Sequence, residues 1–406
     1  MREKPARSEM SRHWSLDPEI VFLNHGSFGA CPTAILDRQR DIRDRMEAEP
    51  VRFMVRELES LLDESRRILG AFLGADQAGL AFVTNATTGI NSVLRSLDLN
   101  HGDELITTTH EYNASKNALE FVAQKSGARV VVVEIPFPIR CADEVADRIL
   151  DAVGPKTRLA LLDHVTSQTG LVFPIETIVR SLRDRGVETL VDGAHAPGML
   201  PLDIDSIGAA WYAGNCHKWI CAPKGAGFLC ARSDMRGTVR PTVISHGANS
   251  PRTDRNRYLL EFDWPGTFDP AAWITIGDSI SFLGSLVPGG WSEVRSRNRE
   301  LALEARRALC SALGVEPPSP PEMIGSLVSI PLPDGAATAA PSLYGDPIQD
   351  ALLDQYSIEV PVVPWPRPPK RLLRISAALY NHIGEYDYLA GALVELLMEE
   401  AGAGQR

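Results

Sequence analysis

The chain alternates between short apolar runs and amphipathic stretches, a pattern typical of a protein that mixes strands and helices. The runs predict strands at 80–84, 104–107, 130–135, 159–163, 189–192 and 209–213, and helical spacing predicts helices at 87–97, 114–124 and 175–185. Strands that are apolar on both faces and separated by helices indicate a mostly parallel sheet covered on both sides. A short apolar run can also be a turn of a buried helix, so that alternative stays open for some of them.

The remaining third of the chain follows a different pattern. Residues 251–270 are polar and rich in turn residues, which predicts a long functional loop. A charged helix begins at Trp291 and ends before Gly314, and strands at 326–330 and 372–375 and a helix at 387–400 follow. We therefore expect a large domain over 20–285 and a smaller α+β domain over 286–406, with the N-terminal segment 1–19 packing near the small one.

Composition narrows the class of protein. The 406 residues are 44% hydrophobic and 23% charged, as in an ordinary globular protein of two to four domains. The net charge of −11 argues against a nucleic-acid surface. No apolar run predicts a membrane span and no signal peptide is visible, so we expect a cytoplasmic protein without nucleic-acid or membrane partners. The six cysteines lack the spacing of a zinc site, and no metal is expected.

The strongest chemical signal is Lys218, in the segment Asn215–Trp219. This segment follows an apolar strand and precedes a glycine-rich turn. Desolvation at such a strand end lowers the pKa of a lysine and makes its amine a usable nucleophile or base. A partly buried structural lysine is the more frequent case when this segment is considered alone.

A second signal is Asp192, which ends a strand and is followed by the small residues 193–198. The carboxyl ends of parallel strands are where α/β proteins bind ligands, although an aspartate there is as often the N-cap of a helix. Beside a lysine that carries a pyridine cofactor, a carboxylate has a specific use, because it keeps the ring nitrogen protonated.

Three weaker signals accompany these two. The segment 84–91 leads from a strand into a helix whose N-terminus could bind a phosphate, Tyr112 could stack on a flat ring, and Arg374 lies in an apolar strand where it could bind a carboxylate. Each has a structural alternative, namely a helix cap, a tyrosine at a core rim and an arginine on the solvent face.

Taken in order, these signals resemble the fold-type I pyridoxal-phosphate enzymes, specifically the class-V aminotransferase group and its isopenicillin-N-epimerase-like branch. The resemblance runs from about residue 20 to the end, and its segments are 23–29, 86–91, 110–113, 192–198, 217–219, 222–225, 266–270, 374–376 and 380–381. It implies an α/β fold with a mostly parallel sheet in the large domain, a smaller α+β C-terminal domain, and pyridoxal 5'-phosphate as cofactor.

The resemblance also implies roles for individual residues. Lys218 would bind the cofactor covalently, Asp192 would contact its ring nitrogen, His195 its phenolic oxygen, and Tyr112 would stack on the ring. The phosphate would be held by Ala86, Thr87, Asn215 and His217, although Asn215 stands where a serine is common. Gly266 and Thr267 would reach the cofactor of a neighbouring subunit, which implies a homodimer with shared sites. Arg374 would bind the substrate carboxylate, and Asn24 and His25 would line the substrate mouth.

Several reactions at the α-carbon of an amino-acid substrate remain open. We rank a C–S lyase-type reaction on a cysteine S-conjugate in natural-product metabolism first, epimerisation second and transamination third. Desulfuration is disfavoured because no cysteine follows Cys310, which lies in a helical apolar pattern. A binding protein without catalysis is disfavoured by the combination of Lys218, Asp192 and Arg374. Arg252, Arg255 and Arg257 could contact a substrate tail, although such charges are more often solvated.

Overall fold

A seven-stranded sheet forms the framework of the chain between residues 80 and 231. The computed structural model describes residues 3–335 and 345–403. In chain order the strands are β1 (Leu80–Val83), β2 (Glu104–Thr108), β3 (Arg129–Val133), β4 (Thr157–Asp163), β5 (Glu188–Gly193), β6 (Trp211–Asn215) and β7 (Gly227–Ala231).

The spatial order of these strands is β1-β7-β6-β5-β4-β2-β3. Strand β7 runs antiparallel to both β1 and β6, and the other neighbours are parallel. The mostly parallel sheet predicted from the apolar runs is confirmed. Because parallel strands end at one edge, Asp163, Asp192 and Asn215 are brought to the same side of the sheet.

Helices cover both faces of this sheet. The helices of nine or more residues are α1 (Thr33–Ala48), α2 (Leu58–Leu73), α3 (Ala86–Ser96), α4 (Asn113–Ser126), α5 (Asp143–Asp151), α6 (Ile175–Asp184), α7 (Ile276–Ser285), α8 (Gly290–Leu313), α9 (Pro347–Tyr356) and α10 (Ile383–Ala403). In α6 the apolar residues recur at helical spacing and are buried in one core, whereas α3 and α4 bury their apolar stripes in a second core.

A smaller antiparallel sheet follows, with the order β9-β10-β8. Its strands are β8 (Leu327–Leu332), β9 (Val362–Pro364) and β10 (Arg371–Ser376). Helices α8 and α10 pack on it and form a separate apolar core, which Val21 and Leu23 also join. Near the N-terminus, Trp14 packs edge-on against Tyr380 with ring centroids 5.0 Å apart. The division at residues 285 and 286 remains our proposal.

Two segments differ from their sequence prediction. The expected loop 251–270 contains a short helix, Arg257–Phe262, which begins where the Asn256 side chain accepts a hydrogen bond from the Leu259 N–H. The glycine-rich turn predicted after Lys218 is shorter than expected. Strand β7 begins at Gly227, and its apolar residues add a strand to the sheet. Helices α1, α2, α5, α7 and α9 were not predicted.

All six cysteines are free, and all except Cys141 are buried. By length and hydropathy, no single helix within 3–335 and 345–403 could cross a membrane, and only the pair Ala271–Ser285 and Gly290–Leu313, bent by 72°, passes that test together.

Candidate active site

Lys218 lies in the turn that connects β6 to β7, where its amine meets His195. The Nζ atom is 2.9 Å from His195 Nε2, and Trp219 Nε1–H donates to His195 Nδ1 at 3.4 Å. A neutral imidazole has one proton, so a ring that accepts at Nδ1 carries its proton on Nε2. His195 can therefore donate to Lys218 when the lysine amine is in its neutral, nucleophilic form. Burial and the nearby Arg374 charge lower the pKa of Lys218 to about 7.

Asp192 is buried near the end of β5 and is oriented by two donors. Its Oδ2 accepts from Ser115 Oγ at 2.9 Å and its Oδ1 accepts from the Ala194 N–H at 3.0 Å. Burial raises the pKa of Asp192, while these hydrogen bonds and the Lys218 charge oppose the rise. Ser115 is on α4, far away in sequence, and nothing in the sequence pattern indicated this contact.

Two further buried carboxylates lie beside Asp192. Asp163 is its register partner on β4, and Glu111 follows β2, so that one oxygen of each of the three acids lies within 4.8 Å of the others. Burial, together with the charges of the neighbouring acids, raises the pKa values of Asp163 and Glu111 well above the usual range of carboxyl groups. We infer that Asp163 and Glu111 hold protons and that the negative charge of the cluster resides on Asp192.

This inference predicts an unusual pH dependence for the Asp163→Asn variant. An unfolded aspartate loses its proton near pH 4, whereas folded Asp163 keeps its proton to a higher pH. As pH rises between these two values, the free energy of unfolding falls by up to about 1.4 kcal/mol per pH unit. Asparagine cannot ionise and avoids this loss. Between pH 5 and pH 8, urea midpoints should fall less for the variant than for the wild type. The exposed Asp41→Asn control should behave as the wild type, and an identical fall in all three proteins would contradict the inference.

The start of α3 lies beside the end of β6. The Ala86 N–H donates to Asn215 Oδ1 at 2.8 Å, and Asn85 caps the helix by accepting from the Thr88 N–H at 2.9 Å. Ala86 and Thr87 are thus the first helical residues, where the helix dipole and backbone N–H groups favour an anion. Asn215 fixes this helix start to the strand that leads to Lys218.

His217 lies one residue before Lys218. Its Nδ1 donates to the Ala226 carbonyl at 3.0 Å, which leaves Nε2 as an acceptor in the neutral ring. Burial and the Lys218 charge lower the pKa of His217 to about 4. A phosphate contact at Nε2 therefore requires His217 to take up a second proton, which an adjacent dianion would favour.

Arg374 is buried on β10 and extends toward the Lys218 site. One of its terminal nitrogen atoms donates to the Ser167 carbonyl at 2.8 Å, and the other donates to Ser27 Oγ at 2.6 Å and more weakly to Asn24 Oδ1 at 3.4 Å. Asn24 in turn donates to Glu359 at 2.9 Å. Roles were predicted for Arg374 and Asn24, whereas Ser27 lies in segment 23–29 of the resemblance without a predicted role and Ser167 was not indicated.

The other predicted residues occupy different environments. Tyr112 precedes α4 and is 44% exposed. His25 is buried, and its Nε2 is 3.0 Å from the Lys218 carbonyl oxygen. Gly266 has φ +116° with open space beside it, and Thr267 is exposed. The hydrogen bonds described for this chain do not join Gly266 or Thr267 to Lys218.

The arginines of the 251–264 segment form ion pairs within the chain. Arg252 pairs with Glu59 and Asp254, and Arg255 pairs with Asp63 and Asp263. Arg257 donates to the Gly247 carbonyl. Their charges are therefore largely compensated by neighbouring carboxylates, which argues against a free site for a substrate tail.

The side chains described here fit pyridoxal phosphate. A neutral amine suits covalent attachment of an aldehyde, a buried and oriented carboxylate suits a pyridine nitrogen, and a helix start beside both suits a phosphate. Seven strands, their helical layers and this site define the class of fold-type I pyridoxal-phosphate enzymes.

Comparisons with known proteins agree with this class. Residues 22–344 match the family model described as aminotransferase class-V. The chain is 38% identical to isopenicillin N epimerase of Amycolatopsis lactamdurans, over 94% of this chain and 96% of that protein. It is 32% identical to a probable chloroplastic L-cysteine desulfhydrase of Arabidopsis thaliana, over 97% and 85% of the two chains.

A solved structure shares the fold. C-DES, in a mutant with glycine covalently linked to its PLP cofactor, has a TM-score of 0.80 and 22% identity, covering 95% of this chain and 99% of that one.

The chain belongs to the class-V aminotransferase family. It is an enzyme, its cofactor is pyridoxal 5'-phosphate, and the family indicated by its motifs is confirmed.

Proposed function

We propose that the protein is a C–S lyase-type enzyme that acts at the α-carbon of a cysteine S-conjugate. The observation that carries the proposal is the buried Lys218 amine, which is 2.9 Å from His195 and has its pKa lowered to about 7 by burial and by the charge of Arg374, with the Asp192 carboxylate nearby. Among relatives, the Arabidopsis protein is named a desulfhydrase, and C-DES is named a cystine C–S lyase. Removal of a β-sulfur group requires a base, an electron sink and a leaving group, and these residues supply or hold the first two.

Each residue then has a defined task. Lys218 would hold the cofactor, and its amine would accept the proton from the substrate Cα. Asp192, oriented by Ser115, would keep the ring nitrogen protonated, and His195 would donate from Nε2 to the phenolic oxygen. Ala86, Thr87, Asn215 and protonated His217 would hold the phosphate, and Tyr112 would cover the ring. When bound, pyridoxal phosphate withdraws electrons from the substrate α-carbon.

Arg374 orients the substrate carboxylate in this proposal, with Asn24 as an auxiliary contact. Its guanidinium forms a two-pronged fork that a lysine cannot reproduce. Loss of one charge-assisted hydrogen bond costs about 1.5–3 kcal/mol, so Arg374→Lys should lower kcat/KM about ten- to hundredfold, mainly through KM. Steady-state kinetics with a cysteine S-conjugate that the wild-type enzyme converts measure kcat and KM for the variant. Arg367→Lys, an exposed change on the same hairpin, should leave KM unchanged, and an equal KM for both variants would contradict the role of Arg374.

Epimerisation is the second candidate. The relative with 38% identity is named an epimerase, and both reactions begin with removal of the Cα proton. Epimerisation further requires a proton donor on the face opposite Lys218, and none of the roles assigned above supplies that donor. Transamination ranks third.

Incubation in heavy water separates the three reactions. Purified enzyme is given amino acids and cysteine S-conjugates, and the products are identified by mass spectrometry and NMR. Elimination yields pyruvate and ammonia, epimerisation yields an inverted amino acid with deuterium at Cα, and transamination yields a keto acid with pyridoxamine phosphate. Inverted, deuterated product without pyruvate would replace the lyase proposal with the epimerase.

We further propose a homodimer in which Gly266 and Thr267 contact the phosphate in the other subunit. The exposure of Thr267 and the open space beside Gly266 support this arrangement. A cytoplasmic location and a place in natural-product metabolism are also proposals. The name of the Arabidopsis relative includes a chloroplast location, so location varies among related proteins.

A further inference from the structure

His25 lies between the lysine turn and the smaller sheet. Its side chain is only 1% exposed, and both ring nitrogens have partners. Nε2 is 3.0 Å from the Lys218 carbonyl oxygen, and Nδ1 is 2.7 Å from the Tyr380 hydroxyl. The ring also packs against Trp219, with centroids 4.9 Å apart.

The direction of these hydrogen bonds follows from their chemistry. A carbonyl oxygen only accepts, so Nε2 carries the proton and donates to Lys218. Nδ1 must then accept, and the Tyr380 hydroxyl donates to it. Burial lowers the pKa of His25 to about 4, so the ring keeps this single-proton form at neutral pH.

The Lys218 carbonyl receives a second donor from its own turn. The Cys221 N–H donates to it at 3.0 Å, and Cys221 has φ +57°, a left-handed conformation that is uncommon for residues other than glycine. Such strained conformations persist only where the surrounding structure enforces them. Two donors from different parts of the chain therefore fix the peptide plane from which the Lys218 side chain extends.

The segment that carries His25 also contacts the arginine of the site. Gly26 N–H donates to Ser376 Oγ at 2.9 Å, and Ser27 Oγ accepts from Arg374 at 2.6 Å. The segment 24–27 thus connects the groups proposed to bind the substrate carboxylate with the main chain of Lys218. We propose that His25 and Tyr380 are positioning residues that hold Lys218 for the reaction, rather than residues that bind substrate. This inference rests on the proposed function of Lys218.

Kinetics of the holoenzyme test the inference with the variants His25→Ala, His25→Gln and Tyr380→Phe. A displacement of about 1 Å can cost about a hundredfold in rate, so we expect kcat to fall about a hundredfold for His25→Ala and about tenfold for Tyr380→Phe. KM should change less than about threefold, because Arg374 is retained. His25→Gln should have a kcat about tenfold higher than His25→Ala, since the glutamine amide can donate from near the Nε2 position. The matched control is Tyr258→Phe, which removes a buried hydroxyl that donates to the Leu229 carbonyl at 2.8 Å.

A second readout is the circular dichroism of the cofactor band. It should weaken in His25→Ala and Tyr380→Phe and stay at the wild-type value in Tyr258→Phe. A raised KM with unchanged kcat would assign His25 to substrate binding, and losses equal to those of Tyr258→Phe would make the contacts merely structural; either result overturns the positioning role. A wild-type enzyme whose borohydride-sensitive band is not attached to Lys218 overturns the proposed function together with this inference.

Discussion

Replacement of Lys218 by alanine should remove both cofactor attachment and turnover. The lysine is proposed to bind the aldehyde of the cofactor and to accept the Cα proton, and among residues 3–335 and 345–403 it is the lysine within hydrogen-bond distance of His195. Proton transfer by a positioned group alone contributes about a hundred- to ten-thousandfold, so activity should fall at least a thousandfold. The wild type should show an absorbance band at ~410–430 nm that disappears with borohydride, and the variant should lack this band.

Lys224→Ala is the matched control for this experiment. Lys224 lies in the same turn and donates to the Gly29 carbonyl at 3.0 Å, and burial also lowers its pKa. It should retain the borohydride-sensitive band. After reduction, peptide mapping should find the added cofactor mass on Lys218 alone. A band that survives in Lys218→Ala and is lost in Lys224→Ala would show that the assignment is wrong.

Asp192→Asn should have the second largest effect. The amide keeps the shape of the side chain but lacks the charge that holds a proton on the ring nitrogen, so the electron-withdrawing capacity of the cofactor falls. We expect kcat to decrease about a thousandfold and the cofactor band to shift, while the cofactor remains attached to Lys218. Ser115→Ala, which removes one donor to Asp192, should cost about tenfold.

Asp163→Asn provides the comparison for Asp192→Asn. Both residues are buried aspartates in register on neighbouring strands, but Asp163 is inferred to be neutral already. Asparagine therefore imitates its protonated form, and kcat should be at least about tenfold higher than in Asp192→Asn. Equal losses in the two variants would mean that the negative charge is shared across the cluster rather than localised on Asp192.

The contrast between predicted and unpredicted residues has a physical basis. Lys218 and Asp192 stand just after apolar strands and beside small residues, so the local pattern marks both as candidates, and their combination with the other signals favours a site over a structural role. Ser115, Asp163 and Ser167 acquire their contacts from strand register and helix packing over long sequence distances, which no local pattern contains. His25 was noticed as part of a motif, but its burial behind the lysine turn depends on how the N-terminal segment joins the smaller sheet.

The fold was predictable to a similar extent. Alternating strands and helices indicated the parallel part of the large sheet, because periodicity and β-branched runs are local properties. Strand β7 was hidden by the adjoining glycines, although its residues Phe228 and Leu229 are fully buried. The helix Arg257–Phe262 was not predicted because it lies within a polar segment. Its local signals are the Asn256 cap and the apolar residues that follow.

The burial of the cysteines bears on how such an enzyme survives its own products. Elimination from a conjugate whose sulfur carries a second sulfur or an oxygen would release a persulfide or a sulfenic acid, and an accessible thiolate attacks such a sulfur to form a disulfide with loss of sulfide or hydroxide. Burial raises the pKa of Cys31 to about 12 and also raises those of Cys216, Cys221 and Cys230, so these thiols stay protonated and sheltered. Cys141, the exposed thiol, is the position at which self-modification would accumulate and at which a reporter dye could be attached to the native enzyme.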